Sequence, residues 1–141
     1  MKKSMILIAM AVLMLMVTGC SKEEEYAYPA VYGNITYTPN RPRVGQEVTM
    51  TVQVLDPGYR IYHADYTWKC SEFENGYQMV RKTAPDNSKT ITEAPSFKFK
   101  FTKAGTFNVS MSAQFKYSMM TEGGALFGSA SSKTLSIRIR E

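Results

Sequence analysis

Phe107-Asn108-Val109-Ser110-Met111-Ser112-Ala113-Gln114-Phe115-Lys116-Tyr117 is the stretch that decides the fold. Apolar and polar residues alternate without error: Phe107, Val109, Met111, Ala113, Phe115 and Tyr117 fall on one face, Asn108, Ser110, Ser112, Gln114 and Lys116 on the other. Successive side chains of an extended chain point to opposite sides, so period two with one apolar face predicts a half-buried antiparallel strand. The same reading holds on either side of it. Val48, Met50, Val52 and Val54 alternate with Glu47, Thr49, Thr51 and Gln53, while Phe97, Phe99 and Phe101 alternate with Lys98 and Lys100. Near the end Leu135, Ile137 and Ile139 stand against Ser136, Arg138 and Arg140, and Tyr62, Ala64, Tyr66, Trp68 and Cys70 share a face opposite His63, Asp65 and Thr67. No segment after Cys20 keeps a helical period.

Turn residues separate these runs. Pro39 to Gly45 divides a first strand, near Val31 to Thr38, from the second, and Asp56-Pro57-Gly58 ends the second. Lys103-Ala104-Gly105-Thr106 lies between two aromatic-rich strands, and Pro85-Asp86-Asn87-Ser88 is expected to turn a weaker pair, Tyr77 to Lys82 and Lys89 to Thr92. About seven short strands with turns at this spacing predict an all-β, antiparallel two-sheet sandwich, with a small barrel as the alternative.

The N-terminus reads differently. Lys2 and Lys3 precede thirteen apolar residues, Met5 to Val17. That run is too short for a membrane-spanning helix, which needs roughly 20 residues, and fits a secretion signal that is removed. Val17-Thr18-Gly19-Cys20 resembles the lipobox of bacterial lipoproteins, which implies cleavage before Cys20 and acylation, such as palmitate, on its sulfur. The expected organisation is a signal peptide over 1–19, a lipidated cysteine and acidic tether over 20–25, and one domain over 26–141, enough chain for a single core. Glu23-Glu24-Glu25 resembles the surface-export signals of Bacteroidetes lipoproteins; the plain alternative is a solvated spacer. The expected location is therefore the cell envelope, at the outer membrane, on the cell surface or its periplasmic face.

The stretch Pro42 to Thr49, then Tyr66-Thr67-Trp68, then Phe101 to Val109 with Gly105, Phe107 and Val109, and a closing Leu135-Ser136-Ile137 together resemble the PKD-like branch of immunoglobulin-like domains. The resemblance spans most of residues 30 to 140. It implies an immunoglobulin-like β-sandwich serving as an extracellular spacer or interaction module. Two positions depart from the family pattern: Lys69-Cys70-Ser71 follows the tryptophan where Asp-Phe-Gly-Asp-Gly is usual, and Phe107 stands in the place of a tyrosine.

With Cys20 acylated, Cys70 is the one remaining thiol, read as a small buried hydrophobe, with a reactive thiol as the alternative. His63, the single histidine, shares a face with Asp65 and could orient a general base, but no nucleophile with a familiar context accompanies the pair. One histidine and one cysteine fall short of a zinc site, and no Asp-x-Asp spacing suggests calcium, so no metal or cofactor is expected. Residues 26–141 carry fourteen Lys and Arg against nine Asp and Glu, a modest surplus that suits solubility or an anionic glycan or lipid headgroup. Nucleic acid is not an expected partner.

Binding is the favoured function class. A loop from Ser118 to Ser132 is expected to present Leu126 and Phe127, either as a contact site or folded back over the core, and Tyr59 and Tyr77 are candidates for stacking on sugars. The chain is thus read as a non-catalytic envelope lipoprotein, held to a membrane through Cys20, that binds a glycan or envelope protein or serves as a structural component of an envelope assembly. The alternatives are a small inhibitor of a hydrolase, for which the loop motifs of chagasin-like inhibitors are missing, and a hydrolase built on His63 and Asp65.

Overall fold

The computed structural model describes residues 26–86, 89–118 and 127–141. The expected signal segment and tether, with Cys20 between them, therefore lie outside the described residues, as does Leu126. Among the described residues eight strands follow in order: β1 (Val31–Thr38), β2 (Glu47–Asp56), β3 (Ile61–Lys69), β4 (Tyr77–Thr83), β5 (Ser96–Lys100), β6 (Gly105–Tyr117), β7 (Phe127–Ser131) and β8 (Leu135–Ile139). They build two antiparallel sheets. One runs β1-β2-β5; the other runs β4-β3-β6-β7, with β8 also paired to β6. The sandwich expected from the alternation is what forms.

The core lies between the sheets. Val48, Met50 and Val52 of β2 meet Trp68, Met111 and Ile137 of the second sheet, all at most 1% exposed. An aromatic chain runs through one end, from Trp68 over Phe97 at 5.8 Å, Phe97 to Phe73 at 5.3 Å, Phe73 to Phe99 at 4.7 Å, and Phe99 to Phe101 at 4.9 Å. Lys98 and Lys100, between those phenylalanines in sequence, stay in water. At the other end the hydroxyls of Tyr32 and Tyr66 pair inside the core, and burial pushes both phenols above their ordinary range.

β6 organises the second sheet because it is longer than its neighbours. Its outer edge is shared: Val109 to Gly105 pair with β8, and Ser112 to Lys116 pair with β7. Between those two strands the chain steps out, so that Lys133 N–H reaches the Gly33 carbonyl of β1 at 3.0 Å and ties the sheets together. A second tie is a parallel bridge between Arg43 and Arg140.

Three expectations are corrected. The segment Ser118 to Ser132 is not loop throughout, because Phe127–Ser131 becomes β7; β6 offers an open edge there, and pairing with it satisfies backbone groups that a loop would leave to solvent. Lys89 to Thr92 does not form a strand with β4. The chain is crossing there from the second sheet to the first, and Ile91 instead donates its N–H to the Ile61 carbonyl at 2.8 Å. Tyr62 is half-buried and Ile61 takes the inward position, because a register shift interrupts the β3–β6 pairing between Ile61 and His63.

Cys70 follows β3 directly, donates its N–H to the Gly76 carbonyl of the turn Glu74–Gly76 at 3.1 Å, and is buried, as expected of a small hydrophobe. Burial pushes its thiol up, away from the reactive thiolate. A disulfide-exchange reagent should therefore modify Cys70 in denaturant at least about a hundredfold faster than in the folded protein. Equal rates in both states would show the site to be open.

Candidate functional site

The outer face of the second sheet gathers most of the polar residues singled out in the sequence. Pairing puts side chains in rows across it. Thr83 of β4, His63 of β3, Lys116 of β6 and Phe127 of β7 form one row, and Arg81, Asp65, Gln114 and Ser129 form the next. Met79, Thr67, Ser112 and Ser131 follow as a third. Since partners in register project to the same side, these rows are consequences of register alone.

The first two rows border a shallow depression of about 290 Å³, lined by His63, Asp65, Arg81, Gln114, Lys116 and Phe127 with part of Phe115. Phe127 stands at its rim, 66% exposed. A smaller set, Gln114, Phe127, Gly128 and Ser129, extends the surface over β7. The side chains offer donors of both charged and neutral kind, one carboxylate, and one apolar ring edge.

Asp65 is the electrostatic centre. Arg81 Nε lies 2.8 Å from its Oδ1, and His63 Nε2 lies 3.4 Å from the same atom. The Arg81 hydrogen bond holds the Asp65 carboxyl below the usual carboxylate range, with a smaller contribution from His63. The pair is exposed, so its worth to stability is small. Its signature is titration: the Asp65 carboxyl resonance should move at a lower pH than that of a free aspartate, and Arg81→Gln should bring the midpoint back up. The sign follows from the depressed folded pKa, so any stabilisation is present above the unfolded value and fades as pH falls through the folded one. An unaltered midpoint in Arg81→Gln would mean that the guanidinium is elsewhere in solution.

A hydroxyl, an imidazole and a carboxylate do stand in line here, since Thr83 Oγ1 is 3.4 Å from His63 Nδ1. The surroundings do not complete a nucleophilic site. β3 is paired on both edges, so its N–H groups are spent in the ladders and none converges to receive an oxyanion. Asp65 is already engaged by Arg81. What the arrangement can do is hydrogen-bond to a ligand laid across the sheet.

The other candidates separate. Tyr59 is held in a backbone clamp with Tyr28, with N–H to carbonyl distances of 3.0 and 3.3 Å, and the two rings stack at 6.1 Å. Tyr77 is half exposed on β4, at the opposite end of β3 from Tyr59. Those two tyrosines do not share a site. Of the apolar pair on the loop, Phe127 is at the depression and Leu126 is outside the described residues. Arg81, Gln114, Lys116 and Thr83 were not singled out in the sequence. Their outward phase was readable from alternation in β4 and β6, but their meeting His63 depended on register. Among the described residues no group of three or more His, Cys, Asp or Glu could hold a metal ion.

Comparison with known proteins adds the family. A family model described as PKD domain matches residues 34–122. Among solved structures, the chain is similar to the PKD domain of an M14-like peptidase from Thermoplasmatales archaeon SCGC AB-540-F20, at 16% identity and a TM-score of 0.49, covering 82% of this chain and 99% of that one. No curated protein matches the chain. The family match spans well over half of the sequence and includes the alternating β6 stretch from which the sandwich was read, so this chain belongs to the PKD domain family.

Proposed function

We propose that the chain is an envelope lipoprotein, anchored through lipid on Cys20, whose PKD domain acts as a non-catalytic contact module for a glycan or envelope protein. The observation that carries the contact reading is the depression beside Phe127, where a strongly exposed aromatic ring adjoins Gln114, Lys116 and the Asp65–Arg81 pair. An apolar stacking surface next to convergent polar groups is the composition that a rigid sheet can offer to a ligand without any chemistry. The domain family is a non-catalytic immunoglobulin-like module of binding or structural use, in keeping with that reading. The anchor is supported by the Val17 to Cys20 sequence and by the acidic run that follows it.

The test has two arms. Cys20→Ser should abolish incorporation of a palmitate analogue and release the protein from membranes; continued incorporation would sink the anchor. For the contact face, the purified chain should retain a glycan or envelope component on an array or column, and Phe127→Ala combined with Gln114→Ala should weaken that retention about tenfold or more. Retention that ignores both substitutions would place the contact elsewhere. A role as a structural component of an envelope assembly predicts co-purification of a stable neighbour in place of a soluble ligand.

A further inference from the structure

The positive surplus of the chain looks scattered in sequence, yet folding concentrates part of it. Ion pairs engage Arg81, Lys82, Lys98 and Lys103 with Asp65, Glu93, Glu47 and Glu72. Four arginines outside those pairs, Arg41, Arg43, Arg138 and Arg140, meet at one corner of the second sheet. Arg43 and Arg140 are partners in the parallel bridge, fixed by Val44 N–H to the Arg140 carbonyl at 2.8 Å and Arg140 N–H to the Pro42 carbonyl at 3.0 Å. Bridge partners project to one side. Pro42 and Ile139 fill the inward positions, so Arg43 and Arg140 face solvent, and Arg138, two residues back on β8, shares that outward face. Arg41, two residues before Arg43, is exposed as well.

Neighbouring strands lie about 4.8 Å apart and alternate residues of one strand about 7 Å apart, so three guanidinium stems leave the sheet within a small square. No ion pair joins any of the four to a described residue; Glu141, next to Arg140 in the chain, is the acidic side chain closest in sequence. Unpaired like charges this close repel one another, a cost that an incoming polyanion removes. Thr106 opposite Arg138, and Asn108 opposite Ser136, add exposed neutral hydrogen-bonding groups on the same face.

We propose that this corner binds an anionic polysaccharide, one carrying sulfate or carboxylate groups along its chain. Guanidinium forks match both groups bidentately, and the hydroxyl and amide side chains beside them suit sugar hydroxyls. A protein partner fits less well, because the apolar content of the corner is Val44 alone, without the aromatic anchor around which such interfaces are built. Lipid fits less well too. The described chain enters the sandwich at the Tyr28–Tyr59 bridge, and the ten residues of β2, about 30 Å of strand, separate that end from Arg43. On the tethered function proposed above, the corner faces away from the anchoring membrane; this exclusion of lipid rests on that proposal, whereas the clustering of charge does not.

The experiment is binding of the purified full-length chain to immobilised dextran sulfate and to polygalacturonate, with neutral dextran, polyglutamate and phosphatidylglycerol vesicles alongside. Sulfated or carboxylated polysaccharide should be bound in preference to the other three, with affinity falling as salt rises. Arg138→Gln combined with Arg140→Gln should weaken it about tenfold or more, and Arg43→Gln with Arg138→Gln should do the same, each with an unchanged thermal midpoint. Lys98→Gln with Lys100→Gln removes the same charge from the outer face of the other sheet and should leave affinity intact. Equal loss in the lysine pair, equal or tighter binding of polyglutamate or vesicles, or no binding to either acidic polysaccharide would overturn the proposal. Phe127→Ala separates the two sites, since it should weaken contact at the depression and leave the arginine corner unaffected.

Discussion

Trp68→Ala is expected to lower the unfolding free energy by about 3–5 kcal/mol, the range for emptying a fully buried aromatic site. Trp68 is 0% exposed, stacks on Phe97 at 5.8 Å, and pairs in register with Met111 on β6. It thus touches both sheets at once. Alanine would leave a void between them that neither sheet can collapse into without breaking its ladders. Domains of this size carry only about 5–15 kcal/mol in total, so the variant should show a large drop in urea midpoint. The indole N–H has no hydrogen-bond partner among the described residues. Trp68→Phe therefore removes an unsatisfied donor along with volume, and should cost clearly less than alanine. A midpoint unchanged in Trp68→Ala would mean that the sheets do not close on this residue.

Gly58→Ala carries the second large effect, about 2–5 kcal/mol, for two separable reasons. The backbone at Gly58 has φ +76°, a region unfavourable to any side chain, and Asp56 Oδ1 fixes the turn by accepting the Gly58 N–H at 2.9 Å. The space is also filled. A Cβ there would sit 2.6 Å from Ile61 Cδ1, 2.7 Å from the Ala30 nitrogen and 2.8 Å from the Tyr28 carbonyl oxygen, two of which are backbone atoms. Relief requires moving the Tyr28–Ala30 segment, which the Tyr28–Tyr59 clamp holds. Gly45 supplies the control, because its φ is +79° but nothing lies within 4 Å of its Cβ position. Gly45→Ala should cost only the conformational part, about 1–2 kcal/mol. Equal losses at the two positions, measured by denaturant titration, would show that the steric contacts at Gly58 contribute nothing.

The two sites proposed on the second sheet are physically distinct. The depression lies beside Lys116 and Phe127, near the end of β6, whereas the arginine corner lies beside Thr106 near its start. Both are on the outer face of one sheet, and about 30 Å of strand separates them. A single extended polymer could touch both, but each has its own variant and its own readout.

Alternation along the chain determined a good deal. In β2, β5, β6 and β8 the inward residues were legible one by one, because in an extended strand the direction of a side chain depends only on its position relative to its neighbours. The same local rule placed Trp68 and Cys70 inside and His63 with Asp65 outside. It failed at Tyr62, where a register shift with β6 turned Ile61 inward, and at Phe127 to Ser131, whose Gly, Ser and Ala residues have little strand preference of their own. β7 exists because β6 is long enough to leave an edge beside it. Only the tertiary structure could set Arg81 against Asp65, Lys116 against Phe127, or Arg43 against Arg140, since each of these meetings is a matter of register between strands. Period two says which face a residue occupies and is silent about which distant residue stands next to it; hydrogen-bonded pairing between remote segments decides that, and it is where both proposed sites arise.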